Sequence, residues 1–297
     1  MSAAAGMNLI PEVTIDAGRR SRVWRTAFRS VSGIVAIVLM AIVVVLSLLS
    51  VFGLLPHDPA AQNVSQALMP PSSEHWFGTD QFGRDTFSRI CAGLASSLVI
   101  AIVSVAFAFV AGTFLGVIAG FYLGLVDRAV GVVNNVLFAF PSLLLALALA
   151  ASLERSWLTV AIAIAIVYMP IFARVARGPV LSLRSAEYVV ASTAIGRSRI
   201  STLMEHVIPN MRGVLVVQVT LSLSWAILTE ASLSFLGFGT PPPAASLGGM
   251  VYEAQTLSSI APWMLLFPGA ALICAVIGLN LLGDSLRTAL DPRTGGR

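Results

Sequence analysis

The chain has 297 residues, of which 57% are hydrophobic and only 11% are charged, and its mean hydropathy is +0.89. This composition excludes a water-soluble globular protein, because a soluble surface needs a much higher density of charged side chains. All 18 cationic residues counted as Lys or Arg are arginines, so the chain lacks the lysine of a standard phosphate-binding loop. If ATP drives this protein, another chain binds the ATP.

Six segments are long and apolar enough to cross a bilayer as helices. A span needs roughly 20 mostly apolar residues, because the backbone polar groups must be satisfied inside the segment. The first segment follows five arginines, but it is too long for the core of a cleavable signal peptide, so we expect it to remain as an anchor. We predict an all-α, polytopic membrane protein with six transmembrane helices, at residues 31–53, 94–120, 130–152, 157–176, 213–236 and 262–283.

The positions of the arginines predict the orientation of these helices. Cytoplasmic loops retain an excess of positive charge. With the N-terminus inside, 15 arginines are cytoplasmic and only Arg84, Arg89 and Arg155 lie outside. Both termini are therefore predicted to be cytoplasmic in a bacterial inner membrane, and the net charge of +4 reflects topology, not nucleic-acid binding. The predicted organisation is a cytoplasmic segment 1–30, a transmembrane domain 31–292 with outer loops 54–93 and 237–261 and a cytoplasmic loop 177–212, and a tail 293–297.

Glycine recurs at every fourth position in and after the second segment, at Gly112, Gly116, Gly120 and Gly124. In a helix this spacing places small residues on one face, where they allow a neighbouring helix to approach closely. We interpret this face as a packing surface, with lining of a transport path as the alternative.

Cysteine and histidine give little sign of a metal or redox site. Cys91 and Cys274 are far apart and are interpreted as small buried residues, so no disulfide framework is predicted. His57 and His75 share one polar loop and are interpreted as solvated, with metal binding as the less favoured alternative.

The cytoplasmic loop contains a predicted helix-turn-helix. Residues 185–196 form a short helix ended by Gly196, because glycine takes a left-handed terminal position without steric cost. Residues 197–207 form a second short helix, and Pro209 is predicted to break it before the next span. Such a unit suits docking into a groove on a soluble partner, but an ordinary hairpin fits the same pattern.

This loop resembles the "EAA" motif of ABC-importer permeases. The matching residues are Glu187, Tyr188, Ala191, Ala194 and Gly196, followed after an eleven-residue spacer by Ile208 and Pro209. The sequence departs from the common form at Ser192 and Arg197. The resemblance implies that the loop docks into a cleft of an ATP-binding subunit, with Glu187 steadying the loop by hydrogen bonds and Gly196 allowing the turn.

Residues 75–89, which we call the outer segment, closely resemble the outer motif of the C-type permease subunit of dipeptide, oligopeptide and nickel ABC importers. Residues 139–143 and 228–237 are similar to the same subunits, and the likeness covers about residues 30–292. The charged residues of the outer segment are interpreted as pairing with one another, with a docked solute-binding protein as the alternative. The matching outer residues are Phe77, Gly78, Thr79, Asp80, Gly83, Arg84 and Asp85.

Glu230 lies near the outer end of the fifth predicted span. An acid at membrane depth indicates a polar partner or a water-filled cavity. Together with Ser234 and Phe235, it is assigned to an outer gate, and contact with the transported substrate is the alternative.

The resemblance implies a type I ABC importer permease fold and a non-enzymatic transport subunit without a cofactor of its own. Its implied partners are membrane lipid, a homologous second permease, an extracytoplasmic solute-binding protein, and two ATP-binding subunits, separate or fused, that carry ATP and Mg²⁺. Peptides are the predicted cargo, with nickel chelates, haem or glutathione as alternatives. An ion-coupled secondary transporter is the alternative from another class, although such proteins place ionisable groups near the midplane and these segments are almost free of charge there. A channel or a membrane scaffold is a further alternative.

Overall fold

The structure is a computed structural model that describes residues 30–290. Nearly all of the predicted N-terminal segment and the whole predicted tail 293–297 lie outside this range. Within it the chain forms helices and no sheet, with one isolated bridge between Thr79 and Asp85. The helices are α1 (Val31–Val51), α2 (Thr86–Tyr122), α3 (Gly124–Phe138), α4 (Ser142–Ser152), α5 (Trp157–Arg184), α6 (Glu187–Ala194), α7 (Arg199–Thr202), α8 (Ile208–Phe235), α9 (Leu247–Ala254) and α10 (Trp263–Leu290), with a 3₁₀ turn at Val64–Gln66 and a π turn at Leu203–Val207.

Five helices are long and apolar enough to cross a membrane alone, while α3 and α4 meet at 90°. The predicted span at 130–152 is therefore divided into two helices by a sharp bend. Pro141 explains the break, because it lacks a backbone N–H and disfavours a helical conformation at Phe140 before it. The long helices are α1, α2, α5, the continuous helix Arg199–Phe235 and α10.

The packing of α2 on α5 shows that the bent pair completes a sixth crossing. Gly112 and Gly116 lie against the backbone carbonyl groups of Met169 and Ala173, and each pair is four residues apart. The contacts advance in the same direction along both helices, so α2 and α5 are parallel. The chain must return across the bundle between them, and α3 and α4 are the elements available to do so.

Three of the four recurring glycines lie in this contact. Gly120 continues it beside the Arg177 carbonyl, 3.1 Å from where a Cβ would lie. Gly124 does not, because α2 ends at Tyr122 and Gly124 has a positive φ of +65° with no atom within 4 Å of a Cβ. The prediction that Gly124 shares the packing face is wrong, since the helix ends before it.

The connecting loops are shorter than predicted because the helices extend further. Asp85 begins α2 early, since its Oδ2 accepts a hydrogen bond from the backbone N–H of Ser88 at 2.8 Å. The first long loop therefore ends at residue 85, not 93. α5 continues to Arg184, and the loop 237–261 contains α9.

Pro209 was predicted to break the helix, but the helix continues through it. The π turn at Leu203–Val207 immediately precedes α8, and the helix is continuous from Arg199 to Phe235. A proline in a regular helix clashes with the carbonyl group four residues earlier, and the wider turn relieves this contact. The amide of Asn210 also donates a hydrogen bond to the His206 carbonyl at 2.6 Å.

The bundle has two distinct ends. Residues 185–207, which we call the knob, join α5 to α8 at one end. Gly213, just after the knob, lies beside Leu290 at the end of α10, so the last described residues are at this knob end. The loops 52–85 and 236–262 lie at the opposite end, which we call the loop end. A buried apolar core formed mainly by α2, α5, α8 and α10 connects the two ends.

Candidate functional site

The knob is a compact helical hairpin. Its two arms, α6 and α7, are connected by a turn in which Gly196 has a φ of +84°. The Ser192 and Thr202 hydroxyl groups form a buried hydrogen bond of 3.1 Å between the arms. Ser198 caps the second arm by accepting a hydrogen bond from the Ser201 N–H at 3.2 Å. These contacts make the knob a rigid unit, and its second arm continues directly into α8.

The knob exposes several large apolar side chains. Ile195 and Ile200 are 77% and 70% exposed, and the remaining large apolar side chains are Tyr188, Val190 and Met204. Exposed apolar surface of this kind marks a contact with another molecule. Ala191 and Ala194 are also exposed on α6. We call the exposed apolar side chains of Tyr188, Val190, Ile195, Ile200 and Met204 the knob patch.

The other residues of the EAA-like motif have different surroundings. Glu187 lies in the first turn of α6, where a carboxylate is favoured by the helix dipole. Its side chain is exposed and makes no hydrogen bond within residues 30–290. Tyr188 contacts the ring of His206 edge to face at 5.9 Å. Ile208 and Pro209 are half-buried at the start of α8, in the stem of the knob.

At the loop end, the charged residues of the outer segment are buried and paired. Arg84 Nε donates to Asp80 Oδ2 at 2.5 Å, and its Nη2 donates to Glu253 Oε2 at 2.9 Å. Arg89 lies 3.5 Å from Asp80 and 3.8 Å from Glu253. We call Asp80, Arg84, Arg89 and Glu253 the loop clamp. It connects the first loop to α9, and the burial of Asp80, Arg84 and Arg89 leaves their charges unavailable as an exposed docking patch.

Two glycines of the outer segment have positive φ angles, +72° at Gly78 and +70° at Gly83. A Cβ at Gly83 would collide with the carbonyl group of Asn63, and one at Gly78 would lie 2.6 Å from the Met69 carbonyl oxygen. Only glycine fits both the backbone conformation and the space. The chain therefore folds tightly over the start of α2.

The rest of the outer segment contacts the start of α10. The Trp263 indole N–H donates to the Thr79 carbonyl at 3.1 Å. The ring of Phe77 is stacked on Phe267 with centroids 4.1 Å apart. The segment is thus fixed to α9 by charge pairs and to α10 by aromatic contacts.

Glu230 does not face a path or cavity. It is fully buried between α2 and α8, where it accepts hydrogen bonds from Ser97 at 2.6 Å and Ser234 at 2.7 Å. These two serines are the polar partners that an acid at membrane depth requires. The structure therefore gives Glu230 and Ser234 a packing role in place of the predicted gate. Phe235 lines an apolar surface groove of about 340 Å³ and contacts the ring of Tyr252.

Residues 112–296 match the protein family described as "Binding-protein-dependent transport system inner membrane component". The chain belongs to this family. The permease is 41% identical over 273 residues to the dipeptide transport system permease protein of Alkalihalophilus pseudofirmus, covering 91% of this chain and 90% of that protein. It is 37% identical over 273 residues to the oligopeptide transport system permease protein of Bacillus subtilis, with the same coverage. It is 42% identical over 223 residues to the glutathione transport system permease protein of Pectobacterium atrosepticum, covering 75% of this chain and 74% of that protein.

Solved structures agree with the fold of the permease. The inward-facing MetNI methionine ABC transporter has a TM-score of 0.55 at 17% identity, covering 68% of this chain and 96% of that one. An amino acid ABC transporter crystallised with histidines has a TM-score of 0.52 at 14% identity, covering 67% of this chain and 92% of that one. The predicted family and the type I importer permease fold are confirmed. The permease is a multi-pass membrane protein of an inner-membrane transport system.

Sequence reasoning missed two charge pairings of the permease. Glu253, the acid on α9, pairs with Arg84 from 169 positions away. Asp127 on α3 receives two hydrogen bonds from the guanidinium of Arg177 on α5, at 2.6 and 2.8 Å. The signal was an acid in each otherwise apolar region, but the sequence does not indicate which arginine it meets.

Proposed function

We propose that this permease is one of two homologous membrane subunits of an ATP-driven importer for small peptides. The cargo is supported by relatives named for dipeptide, oligopeptide and glutathione transport, two of which match nine-tenths of the chain. Two ATP-binding subunits, separate or fused, carry ATP and Mg²⁺, and an extracytoplasmic binding protein delivers the peptide. The permease itself has no enzymatic role.

The knob is the observation that carries this proposal. It presents the knob patch from a rigid hairpin whose ends continue into α5 and α8. A displacement of a partner seated on the knob would therefore move two membrane-crossing helices as rigid bodies. A closing movement of two ATP-binding subunits draws the two knobs together and opens the path outward, and ATP hydrolysis reverses the movement.

The proposed orientation places the knob end in the cytoplasm. In residues 30–290, most arginines belong to the segments at this end. Arg84 and Arg89, two of the three assigned to the outside, are paired with Asp80 and Glu253 in the loop clamp.

The test is Ile195→Asp in the assembled transporter. The Ile195 side chain is exposed, so its replacement leaves the core of the subunit intact but places a charge in the proposed apolar contact. We expect the variant to insert normally and to lose about tenfold or more of the ATPase subunits recovered with it, and of peptide uptake in proteoliposomes.

Val64→Asp is the matched control, because Val64 is an equally exposed aliphatic residue at the loop end. It should retain wild-type assembly and uptake. Full transport by Ile195→Asp would contradict the proposed docking of the knob on an ATP-binding subunit. A wild-type chain that purifies without any ATPase would contradict the importer as a whole.

A further inference from the structure

Three metal-binding side chains converge at the loop end, beside the loop clamp. His57, His75 and Asp85 each offer a donor atom, and these atoms lie within 4.8 Å of one another. The side chains of His75 and Asp85 are 4% and 3% exposed, while that of His57 is partly open to solvent. We propose that these residues bind one divalent cation from the end of the first transition series, such as Zn²⁺.

Hydrogen bonding within the loop does not satisfy this cluster. Asp85 uses Oδ2 to cap α2, and its Oδ1 lies 2.9 Å from His75 Nδ1. His57 Nδ1 is 3.8 Å from the same oxygen, too far for a hydrogen bond. His57 Nδ1 and His75 Nε2 are both shielded from solvent and have no partner within the described part of the chain. The nitrogen of His57 nearest Asp85 is therefore free to bind an ion, and a bound ion would replace the hydrogen bond between His75 Nδ1 and Asp85 Oδ1.

The donor set selects the class of ion. Two imidazoles and one carboxylate suit Zn²⁺ and its neighbours, whereas Ca²⁺ and Mg²⁺ prefer oxygen ligands alone. Ligand distances of about 2.0–2.2 Å in a tetrahedral site place donor atoms roughly 3.3 Å apart. The carboxylate oxygen lies 2.9 and 3.8 Å from the two Nδ1 atoms, so modest rotation of the partly exposed His57 ring would complete the geometry.

The site would join distant parts of the first loop. His57 is close to the end of α1, His75 begins the outer segment, and Asp85 caps α2. A bound cation would connect these three points, and the open side of His57 leaves a coordination position for water. The proposal concerns the loop end alone and does not depend on the transported substrate.

The test is Zn²⁺ binding to the purified transporter complex in detergent, prepared with an affinity tag that contains no histidine and stripped with a chelator. Equilibrium dialysis with elemental analysis should give one Zn²⁺ per permease chain at low micromolar free metal. Co²⁺ in place of Zn²⁺ should give visible absorption bands of a nitrogen- and oxygen-ligated ion. His57→Ala should weaken binding about tenfold or more, because one of three ligands is lost.

His206→Ala is the matched control, since His206 is the remaining histidine and lies in the knob. It should bind Zn²⁺ as the wild type does. His57 makes no hydrogen bond within residues 30–290, so the His57→Ala variant should fold and elute from size exclusion as the wild type does. A second variant, His75→Ala, removes a buried ligand and would disturb the fold. The His57→Ala variant therefore decides the question. Absence of Zn²⁺ at tens of micromolar free metal, or unchanged affinity in His57→Ala, would overturn the proposal.

Discussion

At the scale of single residues, Glu230 shows how a carboxylate is accommodated at membrane depth within one subunit. Both of its oxygens accept hydrogen bonds from serine hydroxyls, one on α2 and one on its own helix. In hydrocarbon no water is present to replace these donors. The three side chains therefore form one unit that connects α2 to α8, and each depends on the others.

Replacing Glu230 should consequently destabilise the subunit. In Glu230→Ala, Ser97 and Ser234 lose their acceptor and a cavity remains. We expect the free energy of unfolding to fall by about 1–3 kcal/mol for each unpaired hydroxyl, and the cavity lowers it further. Thermal unfolding of the purified protein in detergent should begin several degrees lower. Glu230→Gln retains an acceptor and the volume, and should lie much closer to the wild type. Equal unfolding temperatures for the Ala variant and the wild type would show that the serines find other partners.

At the scale of helices, close packing of α2 on α5 depends on the absence of side chains at Gly112 and Gly116. A Cβ on either residue would overlap a backbone carbonyl of α5, which cannot move aside as a flexible side chain can. The parallel arrangement of α2 and α5 follows from this contact, and with it the return crossing by α3 and α4.

Gly116→Ala should therefore separate the two helices and reduce stability by about 1–3 kcal/mol. The matched control is Gly131→Ala in α3, where a Cβ would have no atom within 4 Å. That change should be neutral or stabilising by about 0.5–1 kcal/mol, because alanine loses less backbone freedom in a helix than glycine. The two variants make the same chemical change, so opposite shifts in thermal unfolding would measure the packing directly. A similar shift in both would contradict the close approach.

The number of crossings was predictable from the sequence because apolar length is a property of each segment alone. The break near Pro141 was missed because hydropathy remains high on both sides of it. The surroundings of the Glu230 side chain could not be predicted, since they depend on which helix covers that face of α8. The same limit applies to Arg84, whose partner Glu253 is distant in sequence. Local patterns thus predict elements, whereas pairings between elements need the folded chain.

At the scale of the whole molecule, both ends of the bundle are held together by internal contacts. The loop clamp and the aromatic contacts of Phe77 fix the first loop to α9 and α10. The knob has its own internal hydrogen bonds, and its second arm continues through the π turn into α8. Under the proposed function, a movement imposed at the knob would be transmitted along the helices to a loop end that these contacts hold in place.

The proposed orientation of the bundle rests on the distribution of arginine. In residues 30–290, Arg84, Arg89 and Arg155 belong to segments at the loop end, and the other arginines belong to segments at the knob end. Because cytoplasmic segments retain an excess of arginine, we propose that the knob lies inside. Ile200 in the knob should then be accessible only from the cytoplasm, and Val64 in the first loop only from outside.

Cysteine labelling tests this orientation directly. Ile200→Cys and Val64→Cys both introduce a thiol at a site that is at least 70% exposed. A membrane-impermeant maleimide should label Val64→Cys in right-side-out vesicles and Ile200→Cys in inside-out vesicles, both prepared without the ATP-binding subunits that are proposed to cover the knob patch. The unmodified chain supplies the background, because Cys91 is buried and Cys274 is half-buried among apolar side chains. The reversed labelling pattern would place the knob outside, where no ATP-binding subunit can reach it, and would contradict the coupling mechanism together with the orientation.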